Sequence, residues 1–182
     1  IRVLRLIRSL PARLKQKPVS TLEGAMRELE RRKPVAAMIE AGMLIGAADV
    51  WVANDWHALP VAFALRERFG GIVVYDSHEY ALEEYAQNLG WRLVERPIAA
   101  TIEGIFIGKV AMVTSVSQGI ADALVRIYNL PQPAIRITNA PPYKPRMLRP
   151  TQRQVKVIYH GVVSPGRGLE VMIRAAKYLK SN

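Results

Sequence analysis

The sequence predicts an α/β protein in which a parallel sheet carries helices on both faces. Three observations lead there. Over residues 49–138, apolar runs of strand length alternate with segments of helical period, the pattern of crossover-connected strands. Each apolar run stops at a small polar cluster, as at Asn54-Asp55, Asp76-Ser77-His78-Glu79, Ser115 to Ser117 and Asn139. The runs begin roughly twenty to forty residues apart, a spacing that suits right-handed crossovers and excludes tight hairpins. Together these place every polar cluster on the carboxyl edge of the sheet, where open α/β folds hold ligands.

The elements follow in order. Wound as a helix, residues 1–14 set Val3, Leu4, Leu6, Ile7, Leu10 and Leu14 on one side and Arg2, Arg5, Arg8 and Arg13 on the other, with Pro11 as a kink. Such a segment suits either a core-facing helix or an anionic membrane surface. Ser20-Thr21-Leu22-Glu23 has capping-box spacing and opens a helix. Pro34 breaks or restarts it, and a second helix runs to about Gly46. Then come strand 49–53, helix 57–69, strand 71–75, helices within 79–107, strand 109–114, helix 118–129 and strand 134–138. Gly70-Gly71 and Asn129 with Pro131 are the expected helix stops.

Prolines 141, 142, 145 and 150 punctuate a basic stretch without apolar period, read as a linker over 140–153. It separates a first domain, 1–139, from the opening of a second, 154–182. There Val155 to Tyr159 is expected as a strand, His160 to Gly168 as a Gly-rich loop, and Leu169, Met172, Ile173, Ala176 and Leu179 as the buried stripe of a helix. One strand, loop and helix are less than a domain, so the chain is expected to be a fragment.

The net charge of +11 is concentrated in the flanks. Residues 1–17 hold six cations and residues 131–169 hold seven, neither with an acid. Basic charge suits anionic surfaces, but no interleaved aromatics or helix-turn-helix pattern argue for nucleic acid. The absence of Cys removes disulfides, thiolate metal sites and a Cys nucleophile. The longest nearly apolar stretch, Pro34 to Ala48, contains Glu40 and is short of the about 20 residues a membrane span needs. The basic start lacks the apolar core of a signal peptide.

Among candidate site residues, the loop Gly161 to Gly168 describes an anion site. Gly161, Gly166 and Gly168 allow close backbone approach, the following helix offers N–H groups, and Arg167 adds a cation. The competing reading is a plain strand-to-helix turn with a solvated Arg. His78, between Asp76 and Glu79 at a strand end, could orient a substrate hydroxyl or accept its proton, or could bond a loop or cap a helix. Asp55 and Ser117 read equally as rim residues or as N-caps. His57 reads as a surface residue and Glu83-Glu84 as a solvated face. No G-x-S-x-G elbow and no histidine spacing for a metal is present.

In combination the runs "DVWVANDWHALPVAFAL", "VVYDSHEY", "VTSVSQGIADAL", "ITNAPP" and "VIYHGVVSPGRGLEVMIRAA" resemble, in that order, the family 4 (group 1) glycosyltransferases of GT-B fold. The resemblance covers roughly residues 48–180. It implies two Rossmann-like domains around a cleft, a saccharide or lipid-linked acceptor on the first and a nucleotide-diphosphate sugar on the second. Transfer would proceed with retention, without a metal or other cofactor. His78 matches the catalytic histidine; Asn54, Asp55, Asp76, Glu79, Ser117 and Asn139 match cleft positions. Gly161, Gly166, Arg167 and Gly168 match the loop that holds the donor diphosphate.

Three departures are visible. Val162 stands where members carry Arg, the Gly-rich loop and early strands of the usual first domain are absent before residue 49, and the acidic donor-site region would lie beyond Asn182. The chain alone is therefore expected to be inactive. The expected setting is polysaccharide biosynthesis in the cytoplasm, with peripheral attachment at the inner membrane face. Two rival readings are a nucleotide-sugar epimerase of the same fold and a non-catalytic basic module for membrane or nucleic acid.

Overall fold

A computed structural model of the protein describes residues 21–145, 147, 150, 156–164 and 166–179. The expected amphipathic segment 1–14, Ser20 and Val155 lie outside them. The chain divides into two compact units between Pro141 and Pro142, inside the stretch read as a linker.

The first unit opens with α1 (Leu22–Glu30), capped by Thr21, whose Oγ1 accepts from Gly24 N at 3.2 Å. Pro34 then precedes α2 (Val35–Ile45), which stops at Gly46. The sheet alternates with helices as β1 (Val50–Asn54), α3 (Leu59–Phe69), β2 (Ile72–Ser77), α4 (Leu89–Phe106), β3 (Met112–Ser115), α5 (Gln118–Tyr128) and β4 (Ile135–Arg136). Single 3-10 turns, Trp56–Ala58 and Ile107–Lys109, adjoin α3 and α4.

The four strands are all parallel, in the order β1-β2-β3-β4, and flanked by helices. This is the predicted parallel α/β class, consistent with a Rossmann-like fold, but among the described residues the crossover helices lie on one face of the sheet and not on both. Because side chains alternate across a strand, register assigns each residue a face. Ala53, Val73, Tyr75 and Val113 share one face and pack with Leu59, Leu65, Ile98, Ile102 and Leu124 of α3, α4 and α5. Sequential order explains why these three crossover helices gather there, since connections of one hand reach the other face only when strand order reverses. On the second face Val50, Val52, Ile72 and Met112 are exposed, Val52 by 61%.

α1 is joined to α4 by Arg32, which reaches Glu28 at 2.6 Å and Glu95 at 3.0 Å. α4 is a single helix from Asn88, whose side chain accepts from Trp91 N at 3.0 Å, and it tolerates Pro97 in its interior. On its buried face Glu103 is fully buried and accepts from Tyr75 Oη at 2.5 Å and Tyr128 Oη at 2.6 Å.

Most strand and helix ends fall within two residues of those expected, and three expected strands differ more visibly. β3 starts at Met112 and not 109, because the 3-10 turn Ile107–Lys109 prolongs α4. β4 is only Ile135–Arg136, preceded by Pro131 and Pro133, which have no N–H to donate. In the second unit residues 156–160 form no strand. An extended segment is stabilised by a ladder partner, and none adjoins this one among the described residues of its unit. The helix there, α6, is Leu169–Ala176.

Candidate functional site on the carboxyl rim

The rim is assembled where β1, β2 and β3 end. Asn54 of β1 lies in register with Asp76 of β2, and Asp76 with Thr114 of β3, so these three share the open face. Thr114 Oγ1 donates to Asp76 Oδ1 at 2.5 Å, and the other carboxylate oxygen, Oδ2, lies 2.9 Å from His78 Nε2. Asp76 is thereby held from one side and orients the imidazole on the other. The His78 side chain remains 41% exposed. Its Nδ1 is the ring nitrogen not engaged by Asp76, and a hydroxyl meeting it could be oriented or deprotonated.

Asp55 completes the constellation. Its backbone has φ 62° and ψ 162°, a region essentially reserved for glycine. The strain is held by two contacts with the neighbouring strand end: Asp55 N donates to Asp76 O at 2.9 Å, and His78 N donates to Asp55 Oδ1 at 3.1 Å. Asp55 makes no side-chain cap bond to the turn that follows, so of its two sequence readings the rim one fits. Asp55→Gly should be less destabilising than Asp55→Ala by about 1 kcal/mol, because both lose the carboxylate and only glycine relaxes the backbone. Urea denaturation of the two variants checks it, and equal midpoints would mean that the strain is not real.

Two buried serines pin the same edge. Ser115 Oγ donates to Ser77 O and Ser77 Oγ to Glu79 O, each at 2.9 Å. Sequence reasoning placed Ser77 and Ser115 in the rim clusters without their bonds and missed Thr114; only register puts a β3 hydroxyl opposite a β2 carboxylate.

The remaining expected residues divide. Ser117 caps α5, its Oγ accepting from Ile120 N at 3.3 Å, so the cap reading accounts for its geometry. Asn139 is exposed beyond β4 and is not joined to the His78 constellation by a hydrogen bond among the described residues. Glu79 is exposed and takes part through its main-chain carbonyl. His57 is not the surface residue expected: it is half-buried beside Lys33 and Asp55. Burial lowers its pKa, Lys33 lowers it further, and Asp55 opposes both.

In the second unit Gly161, Gly166 and Gly168 all have positive φ, at 154°, 86° and 74°. A Cβ on Gly161 would also crowd the Tyr159 hydroxyl at 3.0 Å. Gly168 is the N-cap of α6, its carbonyl accepting from Val171 N and Met172 N, and Arg167 is exposed. These three glycines thus occupy backbone that favours glycine. Among the described residues no group of three or more His, Cys, Asp or Glu is placed to hold a metal ion, and no helix is long and apolar enough to cross a membrane.

Fold and rim together define a parallel α/β protein with a preorganised polar edge at its strand ends. Comparison with protein-family models, with curated proteins and with solved structures finds no match to this chain.

Proposed function

We propose that the chain is the acceptor-side part, with the donor-diphosphate loop, of a glycosyltransferase that moves a sugar from a nucleotide-diphosphate sugar to a saccharide or lipid-linked acceptor. The observation that carries this reading is the Thr114–Asp76–His78 chain at the carboxyl edge beside strained Asp55. A fixed imidazole suits an acceptor or donor hydroxyl better than it suits a structural cap, because one ring nitrogen is held by a carboxylate and the ring is partly open to solvent.

The second element is the Gly161–Gly168 loop. Departure of a nucleoside diphosphate builds negative charge on its phosphates. The Arg167 guanidinium and the free N–H groups of a helix start are suited to stabilise that charge without reorganising. The sugar left behind is oxocarbenium-like, and an acceptor hydroxyl would attack it as the bond to the diphosphate breaks.

The test is turnover of a panel of nucleotide sugars by the natural polypeptide that contains this chain, scoring released nucleoside diphosphate with and without saccharide or lipid acceptors. Acceptor-dependent release from one donor is the expected result. His78→Ala should lower that release by about a hundredfold with the fold intact. Isomerised donor without acceptor would replace transfer by epimerisation. An absence of both turnover and donor binding would overturn the enzymatic reading.

A further inference from the structure

A cavity of about 320 Å³ opens beside the rim, between the turn Trp56–Ala58, the 79–85 segment and the start of α4. Its walls carry two features of the same electrostatic sign. One is aromatic: Trp56, Tyr85 and Trp91, with the Tyr85 and Trp91 rings edge to face at 6.1 Å between centroids. The faces of such rings are negative and attract cations. The other is anionic: Asp55, Glu79, Glu84 and Glu95 line the same space.

Among the described residues the counter-charges offset these acids only in part. Glu95 is paired with Arg32 at 3.0 Å, and among the described residues the wall carries one lysine, Lys33, and one imidazole, His57, whose pKa burial and Lys33 lower. Glu79 and Glu84 have no ion-pair partner among the described residues. An acidic aromatic cavity in a chain of net charge +11 runs against the composition of the whole. The carboxylates are also spread around the walls, and no three of the acids converge to hold a metal ion.

We propose that this cavity binds an amino-sugar ring. Its ammonium group would sit among Glu79, Glu84 and the aromatic faces, its hydroxyls would donate to the carboxylates, and its C–H face would lie on an indole. Asp55 belongs both to the cavity and to the His78 constellation, so on the transfer reading the bound ring is the acceptor. Binding of the ring does not depend on that reading and is measured without turnover.

The probe is the trimer of glucosamine, titrated into the 182-residue protein against its N-acetylated counterpart, with tryptophan fluorescence and calorimetry as readouts. The charged trimer is expected to bind about tenfold more tightly than the N-acetylated one, with the difference shrinking in high salt. Trp91→Ala and, separately, Glu84→Gln should each weaken it at least about fivefold. Glu84 is exposed, so its substitution tests the site without unfolding the protein. Equal affinity for the two trimers, indifference to both substitutions, or an absence of binding would each overturn the proposal. Transfer to a neutral acceptor in any of those cases would remove the amino-sugar site while leaving the transferase reading in place.

Discussion

Gly71→Ala is expected to destabilise the first unit by about 3–5 kcal/mol, combining backbone strain with overlap that cannot relax. Gly71 sits at φ 86°, and a Cβ built there would lie 2.4 Å from Ala48 O and 3.0 Å from Asp49 O. These are main-chain atoms at the entry to β1, and Ile72 N donates to Asp49 O at 2.9 Å directly beside them. The side chain could be admitted only by pushing β2 away from β1, and that shift would carry Asp76 and His78 with it. Gly70 is the control. It has φ 80° with open space around the missing Cβ, so Gly70→Ala should cost only the strain, about 1–3 kcal/mol. Urea midpoints of the two variants measure the difference, and equal losses would show that the approach of Gly71 to β1 is looser than described.

The second large effect is expected at Glu103. Burial raises its pKa, while the Tyr128 and Tyr75 hydroxyls act in the opposite direction by hydrogen bonding the carboxylate. A carboxyl whose pKa is higher folded than unfolded binds its proton more tightly in the native state. Its contribution is therefore full below the ordinary carboxylate range and is lost as pH rises through the folded value. Glu28 has the opposite sign, since its hydrogen bond to Arg32 lowers its pKa against a smaller cost of burial. Its share is present above the ordinary range and is lost as pH falls.

Glu103→Gln should flatten the decline in stability above the ordinary carboxylate range and leave the acid limb of Glu28 unchanged. Glu103→Ala should cost about 3–5 kcal/mol at neutral pH, because it opens a cavity and removes the acceptor of the buried Tyr75 hydroxyl and of the partly buried Tyr128 one. Thermal melts of both variants across pH 4–9 provide the check. An unchanged pH profile for Glu103→Gln would mean that the carboxyl titrates as an exposed one.

Much of the fold was legible in local pattern. The alternation of apolar runs with helical periods located every strand of the first unit, and Pro34, Gly46, Gly70 and Asn129 stop or restart helices as their backbone chemistry requires. The strand expected near Val155 to Tyr159 failed for a reason that pattern cannot express: an apolar run becomes a strand only when a neighbouring ladder accepts its backbone bonds. The capping box was nearly legible. The spacing from Ser20 pointed to the correct turn, while the side chain that caps α1 is Thr21.

By itself the sequence determined the α/β class and the carboxyl-edge position of Asp55, Asp76 and His78, since each depends on residues close along the chain. Tertiary structure alone decided which residues are brought together. Register set Thr114 against Asp76, sequential strand order gathered α3, α4 and α5 on one face, and packing of α4 brought Trp91 and Glu95 into one cavity with Asp55 and Lys33. The physical reason is distance along the chain. Periodicity and capping are settled within a few residues, whereas Asp76 meets Thr114 across 38 positions and Arg32 meets Glu95 across 63, contacts that exist only once the sheet and its helices have closed on one another.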